Sequence, residues 1–181
     1  MRKMRTVIGL FLCLVCVSAI ASAQTLLSVE VKPTTKDVYI GTSFEVAIST
    51  VPSDGQPFDF WAAQVLITYN PSIIRLTGAH PVSYDYWYLP LLPNDGYGIN
   101  QDIGDGEALL LCWEPWYGPP HPQAPMTLAH LVFTAVGLGS SAVSLDDSHG
   151  TLTTQMAPDP FGGTCTGDII DGLVRVWAVP N

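Results

Sequence analysis

The chain has 181 residues, 48% of them hydrophobic, and sets 7 Lys and Arg against 16 Asp and Glu for a net charge of -9. That charge disfavours nucleic acid and anionic membrane surfaces as partners. The length suits one domain with a core of its own.

Residues 1–23 read as a secretory signal peptide. Arg2, Lys3 and Arg5 make a basic start, Val7 to Ile20 are almost wholly apolar, and Ala21-Ser22-Ala23 offers a small-x-small cleavage site before Gln24. The apolar run is shorter than the roughly 20 residues that span a bilayer. A lipoprotein anchor at Cys16 would need a small residue before it, and Val15 stands there. The expected mature chain, residues 24–181, is therefore one exported domain without a membrane span, placed outside the cell, at its surface or in a periplasm. It keeps all 16 Asp and Glu but only Lys32, Lys36, Arg75 and Arg175 of the cations, so its net charge is -12.

Along residues 24–181 apolar and polar positions alternate with period two, and helical periodicity is nearly absent, which predicts an all-β chain. Strands are expected at Leu27 to Val31 and Asp37 to Ile40, then where Phe44, Val46 and Ile48 alternate with Glu45, Ala47 and Ser49. They continue at Val65 to Tyr69, Ile73 to Thr77, Ala108 to Trp113, Leu128 to Val136, Val143 to Leu145, Thr151 to Thr154 and Leu173 to Val179. With 15 Pro and 16 Gly as turn punctuation, the expectation is a single β-sandwich of about nine strands with jelly-roll-like topology. In the strand from Leu128, Ala129, Leu131, Phe133 and Ala135 share one face and His130 and Thr134 the other, so His130 is expected against solvent or a neighbouring strand.

Two loops exceed what a minimal sandwich needs. Residues 78–106 carry Tyr86-Trp87-Tyr88 and a run rich in Asn, Asp and Gly, and residues 113–122 carry Trp116-Tyr117 among prolines. Exposed rings there can stack on sugar faces or anchor a protein interface, so Tyr86, Trp87, Tyr88, Trp116 and Tyr117 are the expected ligand-binding residues. The run through Asn100, Asp102 and Asp105 has the oxygen donors of a calcium loop without EF-hand register, and a turn-rich surface loop accounts for it equally well. No other cofactor is called for.

Catalytic signatures are missing: no Gly-x-Ser-x-Gly, His-Glu-x-x-His, phosphate loop or dinucleotide fingerprint occurs. Glu107 and Glu114 are the carboxylates a small glycosidase would use, with Glu114 set between Trp113 and Trp116. Cys112 and Cys165 are the cysteines that remain after residue 23. In an oxidising compartment they fit one disulfide, and two buried thiols are the alternative.

Ala63-Gln64-Val65-Leu66-Ile67-Thr68-Tyr69-Asn70-Pro71, with Ile73-Ile74-Arg75-Leu76 behind it, and Leu128-Ala129-His130-Leu131-Val132-Phe133, with Gly139 after it, together resemble the cohesin domain. Gly41 before Ser43-Phe44-Glu45-Val46 and the closing Gly172-Leu173-Val174-Arg175-Val176 extend the resemblance over nearly all of the mature chain. It implies a sandwich with cohesin-like topology. It also implies a non-catalytic module that recognises a protein partner, such as a dockerin-bearing protein, at a cell surface or in an extracellular assembly; the alternating strands and the absence of amphipathic helices lead to the expectation of a monomer. A carbohydrate-binding module using the loop aromatics is the alternative, with polysaccharide as partner, and a small glycan-active enzyme is a third reading.

Overall fold

A computed structural model describes residues 25–81, 106–113, 123–145, 154–158 and 164–180. Thirteen strands run through them, and no helix occurs among the described residues. In chain order they are β1 (Leu27–Lys32), β2 (Thr35–Tyr39), β3 (Ser43–Pro52), β4 (Phe58–Asp59), β5 (Ala62–Tyr69), β6 (Ile74–Pro81) and β7 (Glu107–Trp113). Then follow β8 (Gln123–Ala124), β9 (Met126–Ala135), β10 (Gly139–Ser144), β11 (Gln155–Ala157), β12 (Thr166–Ile170) and β13 (Gly172–Trp177). The first sheet has the order β12-β1-β3-β9-β6. The second has β11-β5-β10-β13-β2, with β7 on the other side of β5, and β4 and β8 form a separate pair.

The alternation seen in the sequence is what the two sheets bury. Phe44, Val46 and Ile48 of β3, and Leu131 and Phe133 of β9, face Val65, Ile67 and Tyr69 of β5 across one core, and none is more than 8% exposed. Phe133 joins the layers: it stacks on Phe44 at 5.8 Å and meets Tyr69 of the other sheet edge-on at 5.2 Å. Aromatic pairs at such distances add ~0.5–1.5 kcal/mol each beyond the area they bury.

The Tyr-Asn-Pro motif is the turn that carries the chain from one sheet to the other. Asn70 Oδ1 accepts from the Ser72 amide at 3.0 Å and from its hydroxyl at 2.6 Å, and the Asn70 carbonyl accepts from the Ile73 amide at 3.0 Å. This side-chain-closed turn is what Asn does well, and Pro71 supplies its fixed φ. The turn glycines expected from the sequence, Gly41 and Gly139, have φ of 83° and 126°, values that a side chain disfavours.

The count of thirteen replaces the expected nine for physical reasons. β1 and β2, expected as separate strands and divided at Pro33, lie in different sheets, and the strands that were not expected are β4, β8 and β12. The two-residue strands β4 and β8 are too short to show a period. β12 carries no apolar alternation because it pairs only at a sheet edge, parallel to β1. Of the strand expected at Thr151 to Thr154, residues 151–153 lie outside the described residues, and Thr154 stands just before β11.

Strands β12 and β13 also change sheets in succession, so that β1 lies parallel to β12 in the first sheet and β2 parallel to β13 in the second. Where the two crossings pass, the Thr34 carbonyl accepts from the Leu173 amide at 2.9 Å. A Cβ on Gly172 would lie 2.5 Å from Val31 Cγ1 and 2.9 Å from Val31 Cβ. The Val31 side chain can pack this closely on the start of β13 only because Gly172 has no side chain.

The expected Cys112–Cys165 disulfide is not formed. Cys165 is a free, buried thiol, and its Sγ lies 3.5 Å from the Met156 carbonyl. Cys112 and Met156 pair with Ala63 from opposite sides, and Met156 turns its N–H to the Thr166 hydroxyl and its carbonyl to the Cys165 amide, away from Ala63. Two strand spacings of about 4.8 Å thus separate the Cys112 backbone from Met156, and Cys165 lies beyond. A disulfide tolerates a Cα separation of roughly 7 Å at most. Burial pushes the Cys165 thiol up to about 11, so almost none of it is thiolate near neutral pH.

Two outcomes are expected. Gly172→Ala gains ~0.4–1 kcal/mol from a stiffer unfolded chain but overpacks Val31 at a cost of ~1–3 kcal/mol, so chemical denaturation should show a net loss. Adding Val31→Ala should recover part of it, and strictly additive effects would deny the contact. In residues 24–181 carrying Cys112→Ser, a thiol reagent at pH 8 should find no reactive group in the native protein and one after unfolding. The unfolded, unreduced parent chain should show two thiols, and finding none would mean that the disulfide exists.

Candidate binding surfaces

The aromatics expected to bind, Tyr86, Trp87, Tyr88, Trp116 and Tyr117, lie outside the described residues, as do the calcium candidates Asn100, Asp102 and Asp105 and the carboxylate Glu114. Glu107 opens β7 opposite Thr68 and is half-buried. Among the described residues no group of three or more His, Cys, Asp and Glu could hold a metal ion. His130 stands on the outer side of β9, as its alternation requires, with Nδ1 3.8 Å from Glu45 Oε2 and both side chains open to solvent.

The outer side of the first sheet is a ladder of polar pairs. Ser43 and Thr134 share a hydroxyl contact of 3.2 Å, and Ser49 and Thr127 another of 3.2 Å. The second sheet is different. Leu66 of β5 and Leu109 of β7 stand opposite each other, outside the core cluster and each 1% exposed, so the β5–β7 side of this sheet is closed to solvent. The Leu66 amide donates to the buried Thr154 hydroxyl at 3.1 Å, and that hydroxyl also reaches the Leu145 carbonyl.

The other end of the second sheet is open. Parallel pairing of β13 with β2 sets Trp177 beside Tyr39 and Arg175 beside Asp37, and antiparallel pairing with β10 sets Ser140 on the other side of Arg175. Two rows result, one of Ser140, Arg175 and Asp37 and the next of Trp177 and Tyr39. Trp177 is 53% exposed and Tyr39 47%, although large aromatics are usually the material of cores. The indole is held in place: Nε1 donates to Asp37 Oδ1 at 2.9 Å. Open depressions flank it, one of about 400 Å³ lined by Asp37 and Tyr39, the other of about 290 Å³ lined by Leu138, Ser140 and Arg175.

These residues were not among those expected to bind, yet their signal is in the sequence. Val174 and Val176 alternate with Arg175 and Trp177, so if the valines are core the other two must face outward. The same holds for Val38 between Asp37 and Tyr39.

No family model matches the sequence, and no curated protein is similar to it. Solved structures are similar along most of its length. The seventh ScaB type I cohesin of Pseudobacteroides cellulosolvens aligns with a TM-score of 0.59 at 13% identity, over 86% of this chain and 95% of that one. The third cohesin of ScaC from Acetivibrio cellulolyticus, in complex with the ScaB dockerin, aligns with a TM-score of 0.60 at 13% identity, over 84% of this chain and 100% of that one. A cohesin module of a family 33 glycoside hydrolase from Clostridium perfringens gives 0.59 at 14% identity, over 84% and 97%. By its two-sheet topology and by these likenesses, the chain folds as a cohesin-like β-sandwich.

Proposed function

We propose that this chain is an exported, non-catalytic recognition module whose partner is a protein, either a dockerin-bearing protein or one that presents a comparable surface. The observation that carries the reading is the likeness over 83–84% of the chain to cohesin modules, among them modules whose structures were determined in complex with dockerins. Such a sandwich hosts many jobs, so the fold alone fixes no partner. The absence of nucleophile and metal-protease motifs from the sequence agrees with binding rather than catalysis.

Export rests on residues 1–23, whose basic start, apolar run and small-residue site fit a signal peptide and lie outside the described residues. Among the described residues no helix is long and apolar enough to cross a membrane. The dockerin loop pattern Asp-x-Asn-x-Asp-Gly is not found in these 181 residues.

Residues 24–181 titrated calorimetrically with a panel of dockerins in calcium-containing buffer should bind at least one with a dissociation constant of about 1 μM or tighter, ~-8 kcal/mol. If every dockerin of the panel leaves the heat signal at the dilution baseline, the dockerin reading fails.

A further inference from the structure

We propose that the outer face of β10, β13 and β2 is a second binding site, a platform for an uncharged polysaccharide built of hexopyranose units, with Trp177 as the stacking surface and Tyr39 as its extension. It is separate from the dockerin reading and uses none of the loop aromatics expected from the sequence.

The first argument is shape and chemistry. A pyranose ring is amphipathic, with a face of C–H groups and a rim of hydroxyls, and it is recognised where an exposed aromatic ring stands beside hydrogen-bonding side chains. Here the aromatic row of Trp177 and Tyr39 lies two residues along the strands from the row of Ser140, Arg175 and Asp37, a separation of about 6.6 Å. A sugar stacked on the indole therefore puts its rim within reach of a hydroxyl, a guanidinium and a carboxylate. Among the described residues no hydrogen bond or ion pair engages the Arg175 guanidinium, so its donors are free for a ligand.

The second argument is rigidity. The Nε1 donor of Trp177 is directed to Asp37 at 2.9 Å, which favours one orientation of the ring and leaves its π-surface for contact. A ring ordered before the ligand arrives costs less entropy on binding. Trp177 also borders both depressions, of about 400 and 290 Å³, so a chain of sugars can pass from one to the other across it. These sizes lie near the lower end of the ~300–1,000 Å³ of small-ligand sites.

Charge and area select the class of ligand. Arg175 and Asp37 are direct neighbours across β13 and β2 and offset each other, which makes the platform locally neutral on a chain of net charge -9. A polyanion would be repelled by the whole molecule, and a basic peptide would meet no surplus of negative charge at this spot. Trp177 and Tyr39, each about half exposed, present on the order of 200 Å² of accessible surface, and the row of Ser140, Arg175 and Asp37 adds a comparable amount. A stable protein interface buries about 800 Å² on each side, so the platform is too small to be one by itself and matches a few sugar units.

Affinity electrophoresis of residues 24–181 through gels containing hydroxyethylcellulose, xyloglucan, galactomannan or, as the charged arm, polygalacturonate tests the proposal, with Trp177→Ala, Tyr39→Ala and Trp177→Phe run beside the parent. The parent should be retarded by at least one neutral polymer and not by polygalacturonate. Trp177→Ala should weaken that retention at least tenfold, Tyr39→Ala less, and Trp177→Phe should keep part of it. All three should keep the parent's thermal melt within about 5 °C, since side chains about half exposed contribute only modestly to stability. Free migration of the parent in every neutral gel overturns the proposal. So does retention that survives Trp177→Ala, or retention by polygalacturonate alone. Calorimetry with dockerins is a separate readout on the same proteins, so the loss of either binding leaves the other interpretable.

Discussion

Where β1 and β12 leave the first sheet for β2 and β13 in the second, the two crossings run side by side, and Val31 meets Gly172 with no room for a Cβ between them. The core needs two layers held face to face, and at this edge the same two chain segments serve both layers. Parallel pairing is thereby imposed on β1 with β12 and on β2 with β13, whereas every other pair among the described residues of the sandwich is antiparallel. The register of β2 on β13 then decides which side chains meet on the outside. It puts Trp177 against Tyr39 and Arg175 against Asp37, so a constraint set by a missing side chain at Gly172 ends by composing a surface five residues further on.

Most of the scaffold was legible because burial on one face writes a period of two into the sequence. In β5 and β9 the alternating residues are the buried ones, and His130 falls on the outer side as its parity requires. The Tyr-Asn-Pro-Ser step was legible as a motif, and its bonds show why: Asn70 closes the turn with its own side chain. What the period could not reveal were strands too short to repeat it, such as β4 and β8, or an edge strand such as β12 whose pairing is with backbone rather than core. Leu66 and Leu109 break the rule from the other direction, being buried on the side of β5 and β7 that faces away from the core. An apolar residue at an outward position reads in the sequence as noise in the alternation, and only the fold gives it meaning.

The cysteines show a different limit. Pairing Cys112 with Cys165 followed from their number and from the expected compartment, and neither contains a distance. The sheet supplies it: Ala63 and Met156 stand between the two backbones, and Cys165 ends in an apolar site that suppresses its ionisation. The loop aromatics lie outside the described residues, and Trp177 drew no notice beside them for a related reason. Rings in long loops attract notice because a loop has no other evident use for them, whereas Trp177 falls inside the strand expected at Leu173 to Val179. Parity was the overlooked clue, since a strand that buries Val174 and Val176 must expose Arg175 and Trp177.

An exposed tryptophan has a cost that bears on function. Burying a large aromatic side chain contributes ~1.5–3 kcal/mol to a fold, and at Trp177 about half of that opportunity is left unused. The hydrogen bond to Asp37 does not recover it, because a solvent-exposed bond is nearly matched by one to water. What that bond does is favour one orientation of the ring. Rigidity without burial has little value for stability, but it is what a recognition surface needs, because the ordering cost is then met in folding and not in binding. The same sandwich can therefore carry two independent contacts: a protein-binding role inferred from its likeness to cohesins, and a small neutral aromatic platform proposed at the end of β13, composed by the pairing that the edge crossing sets.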